Sequence, residues 1–204
     1  MNEIFEWRGV EGLVAAEVTG DDNETDGGYV TGAVFDVAPM SELGRTTETS
    51  SEPHYYDNVP AIVVSSTGSD EVTVNTAGIP LAVIAKITGQ TYDETTGMLV
   101  EGVRETKYFA LGYKTKKTNG EEVFVWRLKG TFNIPDSTHK TEDDGTDGEG
   151  QELTYTGICT THKFTKTGKV AKAINVDLGK DLANVTDFFK TVQTPDTIKA
   201  KSAA

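Results

Sequence analysis

Apolar and polar side chains alternate most strictly between Lys107 and Pro135, where two β runs meet at Asn119-Gly120. Asn-Gly is the strongest short hairpin signal, because a type I′ turn needs positive φ at both central residues. A two-residue turn sets the register. Thr118 then faces Glu121, Lys117 faces Glu122, Thr115 faces Phe124, Tyr113 faces Trp126 and Leu111 faces Leu128. Phe109, Leu111, Tyr113, Phe124, Trp126 and Leu128 share one core face in that register. The other face carries Lys114, Lys116, Val123, Val125, Arg127, Lys129 and Thr131. Its mixed character predicts either a wet surface or one that something else covers.

The remaining elements follow in order. After a flexible start over residues 1–9, Leu13 to Thr19 reads as a strand and Gly20 to Gly28 as an acidic turn. Tyr29 to Val37 is a second strand and Arg45 to Ser50 a third, with a loop between them. Pro53 and Pro60 exclude a central strand over residues 50–60, so a connector folded back on Tyr55 and Tyr56 is expected. Ala61 to Ser66 and Glu71 to Thr76 predict a hairpin turning at Thr67 to Asp70. Pro80 and Gly89 bracket an apolar run, Leu81 to Ile87, that suits a helix of about two turns. Tyr92 to Gly97 is turn-rich, and Met98 to Val103 leads into the central hairpin. Beyond that hairpin, Leu153 to Phe164 is a long strand and Val170 to Leu178 the last one. Asp181 to Lys190 suits a helix with Val185, Phe188 and Phe189 as its apolar side, and residues 195–204 read as a frayed tail. The expected architecture is a single domain over residues 1–204, mainly β. It is a β-sandwich or barrel with one short helix packed on it, plus a C-terminal helix.

Charge narrows the partners. The net charge is −13, and it is uneven. From Lys163 onwards eight Lys stand against four Asp, which leaves −17 on residues 1–162. Such a chain is expected to repel nucleic acid, and its charge gives no reason to expect an anionic membrane surface as a partner. A single cysteine, Cys159, excludes an intrachain disulfide framework. The acidic start lacks an apolar signal-peptide core, and no apolar run approaches membrane-spanning length. The expectation is a protein made and kept in a cytosol, or released from it by lysis.

Candidate chemistry is sparse. Asp22, Glu24, Asp26 and Gly27 match positions 1, 3, 5 and 6 of a calcium loop. Position 12 is Ala33 instead of a bidentate Glu, so a solvated turn is the favoured reading. Residues 142–152 hold six acids and no base; Asp143 and Asp147 suit calcium there, but position 12 is Thr154. His54, beside Tyr55 and Tyr56, has no second His or Cys nearby to support a metal site. His162 and Cys159 are three apart, on opposite faces of a strand. The chain shows no nucleophile elbow, phosphate-binding loop or dinucleotide fingerprint, so no catalytic residue and no cofactor are assigned.

Several pieces in a fixed order resemble a known family. They are Gly12-Leu13-Val14-Ala15 before an Asp-rich turn, Tyr55-Tyr56-Asp57-Asn58, Leu81 to Ile87 with Gly97 to Val100, and Tyr108 to Tyr113. Val125 to Thr131 and Leu153 to Gly157 complete the set. Over residues 10–165 the chain resembles the phi13-type major tail proteins of long-tailed bacteriophages, which build the tail tube. The acidic 142–152 loop and the C-terminal part fit that pattern less well. The resemblance implies a β-sandwich with a helix against one side and six subunits in a ring. The rings stack into a virion tail tube through which DNA passes without being gripped. It also implies tape-measure, tail-terminator and baseplate proteins as partners. Val123, Val125, Arg127, Lys129 and Thr131, with Thr154 and Thr156, are then the candidate subunit-interface and inner-sheet residues. Two other readings compete: an adhesion or carbohydrate-binding β-sandwich, for which Trp7 is available, and a small enzyme on a β scaffold.

Overall fold

A computed structural model describes residues 4–22, 28–141 and 148–201. The protein is mainly β, with one helix packed on a large antiparallel sheet. Its strands are β1 (Trp7–Asp21), β2 (Tyr29–Thr31), β3 (Phe35–Asp36), β4 (Met40–Tyr56) and β5 (Val59–Thr76). After the helix α1 (Leu81–Thr88) come β6 (Thr91–Asp93), β7 (Met98–Val100), β8 (Phe109–Lys117) and β9 (Glu122–Phe132). β10 (Asp136–Ser137), β11 (Gln151–Ile158) and β12 (Ala173–Asp177) complete the set. The main sheet runs β2-β1-β8-β9-β11-β5-β4, with β3 on β1, β10 on β11 and β12 on β9. β1 and β4 lie far apart in that order yet touch, so the sheet curls round on itself.

The central hairpin forms between the expected strands, but not in the expected register. Tyr113 stands opposite Val125, Leu111 opposite Arg127 and Gly112 opposite Trp126. The turn causes the difference. Gly120 alone has positive φ (+90°), and Asn119 does not adopt the left-handed conformation that type I′ requires. Lys117 N–H donates to Glu121 O (2.8 Å) and Gly120 N–H to Lys117 O (3.0 Å), which closes a three-residue loop. This is the type I turn followed by a left-handed glycine, the next commonest hairpin connection. One extra loop residue slides β9 by one position, and a one-residue slip turns every side chain over.

Both faces of the hairpin are therefore core. Leu111, Tyr113, Val123 and Val125 join Leu13, Ala15, Val72, Val74, Leu153 and Tyr155 inside the curl. Ile84 and Ile87 of α1 close that core near the Phe132 end of β9. α1 itself behaves as its sequence predicts: Pro80 precedes it, and Gly89 ends it at φ +69°. On the reverse face Trp126, Leu128 and Ala110 pack under Phe164, Phe188 and Val192. The covering layer is the C-terminal segment. The Trp126 indole N–H donates to Phe188 O at 2.8 Å. Gly112 stands opposite because a Cβ there would lie 2.8 Å from the Trp126 ring.

Several other expectations change. Val59–Thr76 is one strand, so no hairpin turns at Thr67 to Asp70; the turn lies at Asp57-Asn58. The expected C-terminal helix is absent. Phe188 N–H bonds Val185 O and Lys190 N–H bonds Asp187 O, single turns in place of a continuous ladder. Asn184 Oδ1 takes the Thr186 N–H (3.2 Å) and hydroxyl (2.9 Å), which competes with helix formation. Val185, Phe188 and Phe189 still form the apolar side expected of them. Residues 195–201 are tied to the body and not frayed: Ile198 packs half-buried against the core, Ala200 bridges to Ala183, and Lys201 N–H donates to Leu182 O. β11 ends at Ile158, so the opposite-faces argument for Cys159 and His162 does not apply.

Candidate functional site

The seven residues expected on one interface surface lie on two faces. Val123, Val125 and Arg127 are buried inside the curl. In this conformation they are not free to meet another subunit. The register shift between the Leu111–Arg127 and Phe109–Gly130 pairs reverses the alternation of β9. Lys129 and Thr131 consequently fall on the outer face, beside Ile158 and Thr156 of β11. Thr131, Thr154 and Lys129 are half-buried there, and Thr156 is exposed. This outer face continues through Thr73 and Glu71 of β5 to Gly44 and Thr46 of β4. It is polar, as a solvated sheet face should be.

Arg127 is held by a charge cluster that sequence spacing does not reveal. Asp70 receives the Arg127 guanidinium, Lys172 (3.0 Å) and the Thr47 hydroxyl (2.9 Å), with Arg45 at 3.9 Å. Arg127 also donates to the Tyr113 hydroxyl at 3.2 Å, while its Nε–H has no partner among the described residues. Burial pushes the Asp70 carboxyl pKa up. Hydrogen bonds from Lys172 and Thr47 and the charge of Arg127 outweigh it, and the net shift is downwards. Asp21 behaves alike: burial raises it, while Lys129 and the backbone N–H groups of His162 and Thr161 lower it further. Asp21 is thus not the freely solvated acid that the turn reading expects; its side chain is 6% exposed. Residues 23–27 and 142–147, which carry the other calcium-loop positions, lie outside the described residues.

The sign of these shifts fixes a pH dependence. Both carboxyls have folded pKa values below the unfolded ones, so their stabilisation is complete above about pH 4 and disappears as pH falls through the depressed values. The urea midpoint is expected to change little from pH 8 to 5 and to drop below about pH 4. A midpoint already falling between pH 7 and 5 would show that other groups control acid stability.

At the Asp70 cluster the β4–β5 hairpin leaves the body. β11 pairs with β5 only as far as Gly157 opposite Asp70, and from there to the tip β4 and β5 have only each other. Asp57 and Asn58, at φ +52° and +64°, make the two-residue turn, as these residues tolerate left-handed conformations. Tyr55, Tyr56, Val59, Ile62, Val63 and Val64 are each more than half exposed. Alternation puts Ile62 and Val64 on one face of this arm and Val63 on the other, so both faces are apolar. The connector expected to fold its tyrosines inward does the reverse. Pro53 and Pro60 are compatible with it because neither strand here is central. His54 is exposed on the arm.

A groove of about 750 Å³ opens at the Val123 end of the curl. Trp7, Val10, Leu43, Tyr113, Val123 and Val125 give it apolar walls, and Arg45, Arg127 and Asn175 add polar groups. Trp7 is 62% exposed at this groove. Among the described residues no three His, Cys, Asp or Glu side chains gather as metal ligands. His162 is used structurally, its Nδ1 lying 2.8 Å from Asp22 O and its ring edge-on to Phe164. Among the described residues no helix is long and apolar enough to cross a membrane.

No known family model matches the chain, and no curated protein matches it.

Proposed function

We propose that this chain is a self-assembling structural protein, a major tail protein whose rings, six subunits each, stack into the tube of a long-tailed phage virion. The observation that carries the reading is the arm. A two-stranded hairpin is marginal in water without a third strand or a packing partner. This one projects six large apolar side chains over both faces. Exposed apolar area of this kind marks an interaction surface, and its free strand edges favour pairing with another chain. Further exposed apolar side chains, Leu81, Met98, Val100 and Ile134, lie around α1. The net charge of −13 suits a conduit from which DNA slides. Tape-measure, terminator and baseplate proteins are the partners this role entails.

The test is a shortened arm. Residues 52–64 are replaced by Asn-Gly, which joins Ser51 to Ser65 through a two-residue turn. The parent chain is expected to gain mass with concentration in light scattering. The shortened chain is expected to remain monomeric with an unchanged melting temperature. Equal assembly of both would remove the arm from the account.

A carbohydrate-binding reading draws on one observation, the exposed Trp7 beside the groove. Saturable oligosaccharide binding by the monomer, lost in Trp7→Ala, would favour it over assembly.

A further inference from the structure

We propose that the groove between β1, β4 and the β8–β9 hairpin is the acceptor for the arm tip of a second copy of this chain. The inference rests on the assembly reading above and adds where the arm goes. Three observations select this occupant. First, the two surfaces match in chemistry. The arm offers Tyr55, Tyr56, Val59 and Ile62 to water, and the groove offers exposed Trp7 with half-buried Val10 and Leu43. Second, their charges are opposite. Residues 50–66 carry Glu52 and Asp57 and no Lys or Arg. Arg127 is buried on Asp70, so the exposed cation of the groove rim is Arg45, and Glu42 is the one acid in the lining. Glu42 already takes a hydrogen bond from Asn75 (3.3 Å), and the Arg45 side chain is 52% exposed.

Third, the arm cannot fill its own groove. It leaves the body at Thr47 and Asp70, two residues from Arg45 on the groove rim. Paired strands advance about 3.3 Å per residue, so Tyr56 stands roughly 30 Å beyond Thr47. Bending the tip back would break the β4–β5 ladder that runs to the turn. The occupant is therefore another molecule's tip, entering head to tail. The surface that gives and the surface that receives are different, so the contact repeats and generates a ring or a continuous stack.

Disulfide trapping tests the docking in the full chain. Cys159 is first replaced by serine, which leaves single introduced thiols. A Tyr56→Cys chain is mixed with a Trp7→Cys chain and oxidised, with Tyr56→Cys plus Thr154→Cys as the outer-face control. The Tyr56–Trp7 product is expected to exceed the control about tenfold or more, because docking raises the local thiol concentration. Light scattering of the same mixtures is read alongside. Assembly without preferential Tyr56–Trp7 linkage overturns the groove assignment and leaves the assembly reading standing. No assembly of the parent chain and no linkage overturns both. A sugar or other small molecule as the true occupant gives no Tyr56–Trp7 product and likewise overturns the assignment.

Discussion

Trp126→Ala is expected to destabilise the fold by about 3–5 kcal/mol, the range for removing a large aromatic side chain from a core. Trp126 has no exposed surface, and its ring lies 5.9 Å from that of Phe189. Its indole N–H holds the Phe188 carbonyl. Alanine removes the packing and leaves a buried acceptor without its donor, which adds to the cost. The second consequence is local. Trp126 is where the C-terminal segment seats on the sheet, so residues 183–201 should become accessible to protease before the rest. Urea unfolding followed by far-ultraviolet circular dichroism gives the first quantity, and limited proteolysis gives the second. A loss below about 1 kcal/mol would mean that the C-terminal layer contributes little to holding the sheet.

Asp70→Ala is expected to cost a similar amount, about 3–5 kcal/mol, by a different route. Two hydrogen-bonded cations, Arg127 and Lys172, converge on a carboxylate whose side chain is 4% exposed. Removing it leaves the Arg127 charge buried without a counter-ion, and that penalty exceeds what the intact pair contributes. Lys172 is 16% exposed and can turn its ammonium towards water. Arg127 cannot do so as readily, because it is itself buried and tied to Tyr113. The double substitution Asp70→Leu with Arg127→Met should recover part of the loss, since apolar replacement of a buried pair is often tolerated. Urea midpoints of the single and double variants check this. A double variant no more stable than Asp70→Ala would show that the Arg127 charge is not the source of the cost.

The β character, the helix and its ends, and the importance of the central hairpin were all legible from alternation and from Pro and Gly placement. The hairpin's faces were not. Asn119-Gly120 is compatible with a two-residue turn and with a three-residue turn ending in a left-handed glycine. The choice between them moves Val123, Val125 and Arg127 from surface to core. Their mixed pattern was the available signal: a face with two valines and an arginine is one that something covers. The cover comes from within the chain, as the Asp70 cluster and the rim of β4. Val125→Asp is therefore a change to the core, where an unpaired carboxylate would be buried. The arm was hidden for a related reason. Its prolines argue against a central strand, and a two-stranded projection has none. Asp70 and Arg127 lie 57 residues apart, a pairing that no local spacing announces.

Negative-stain electron microscopy of the purified full chain, at rising concentration, distinguishes a tube-forming protein from a monomer. Rings with an open centre that stack into tubes are expected, and they are expected to be lost when residues 52–64 are replaced by Asn-Gly. Discrete single-chain particles at every concentration, including with tail partner proteins present, would contradict assembly into a tube.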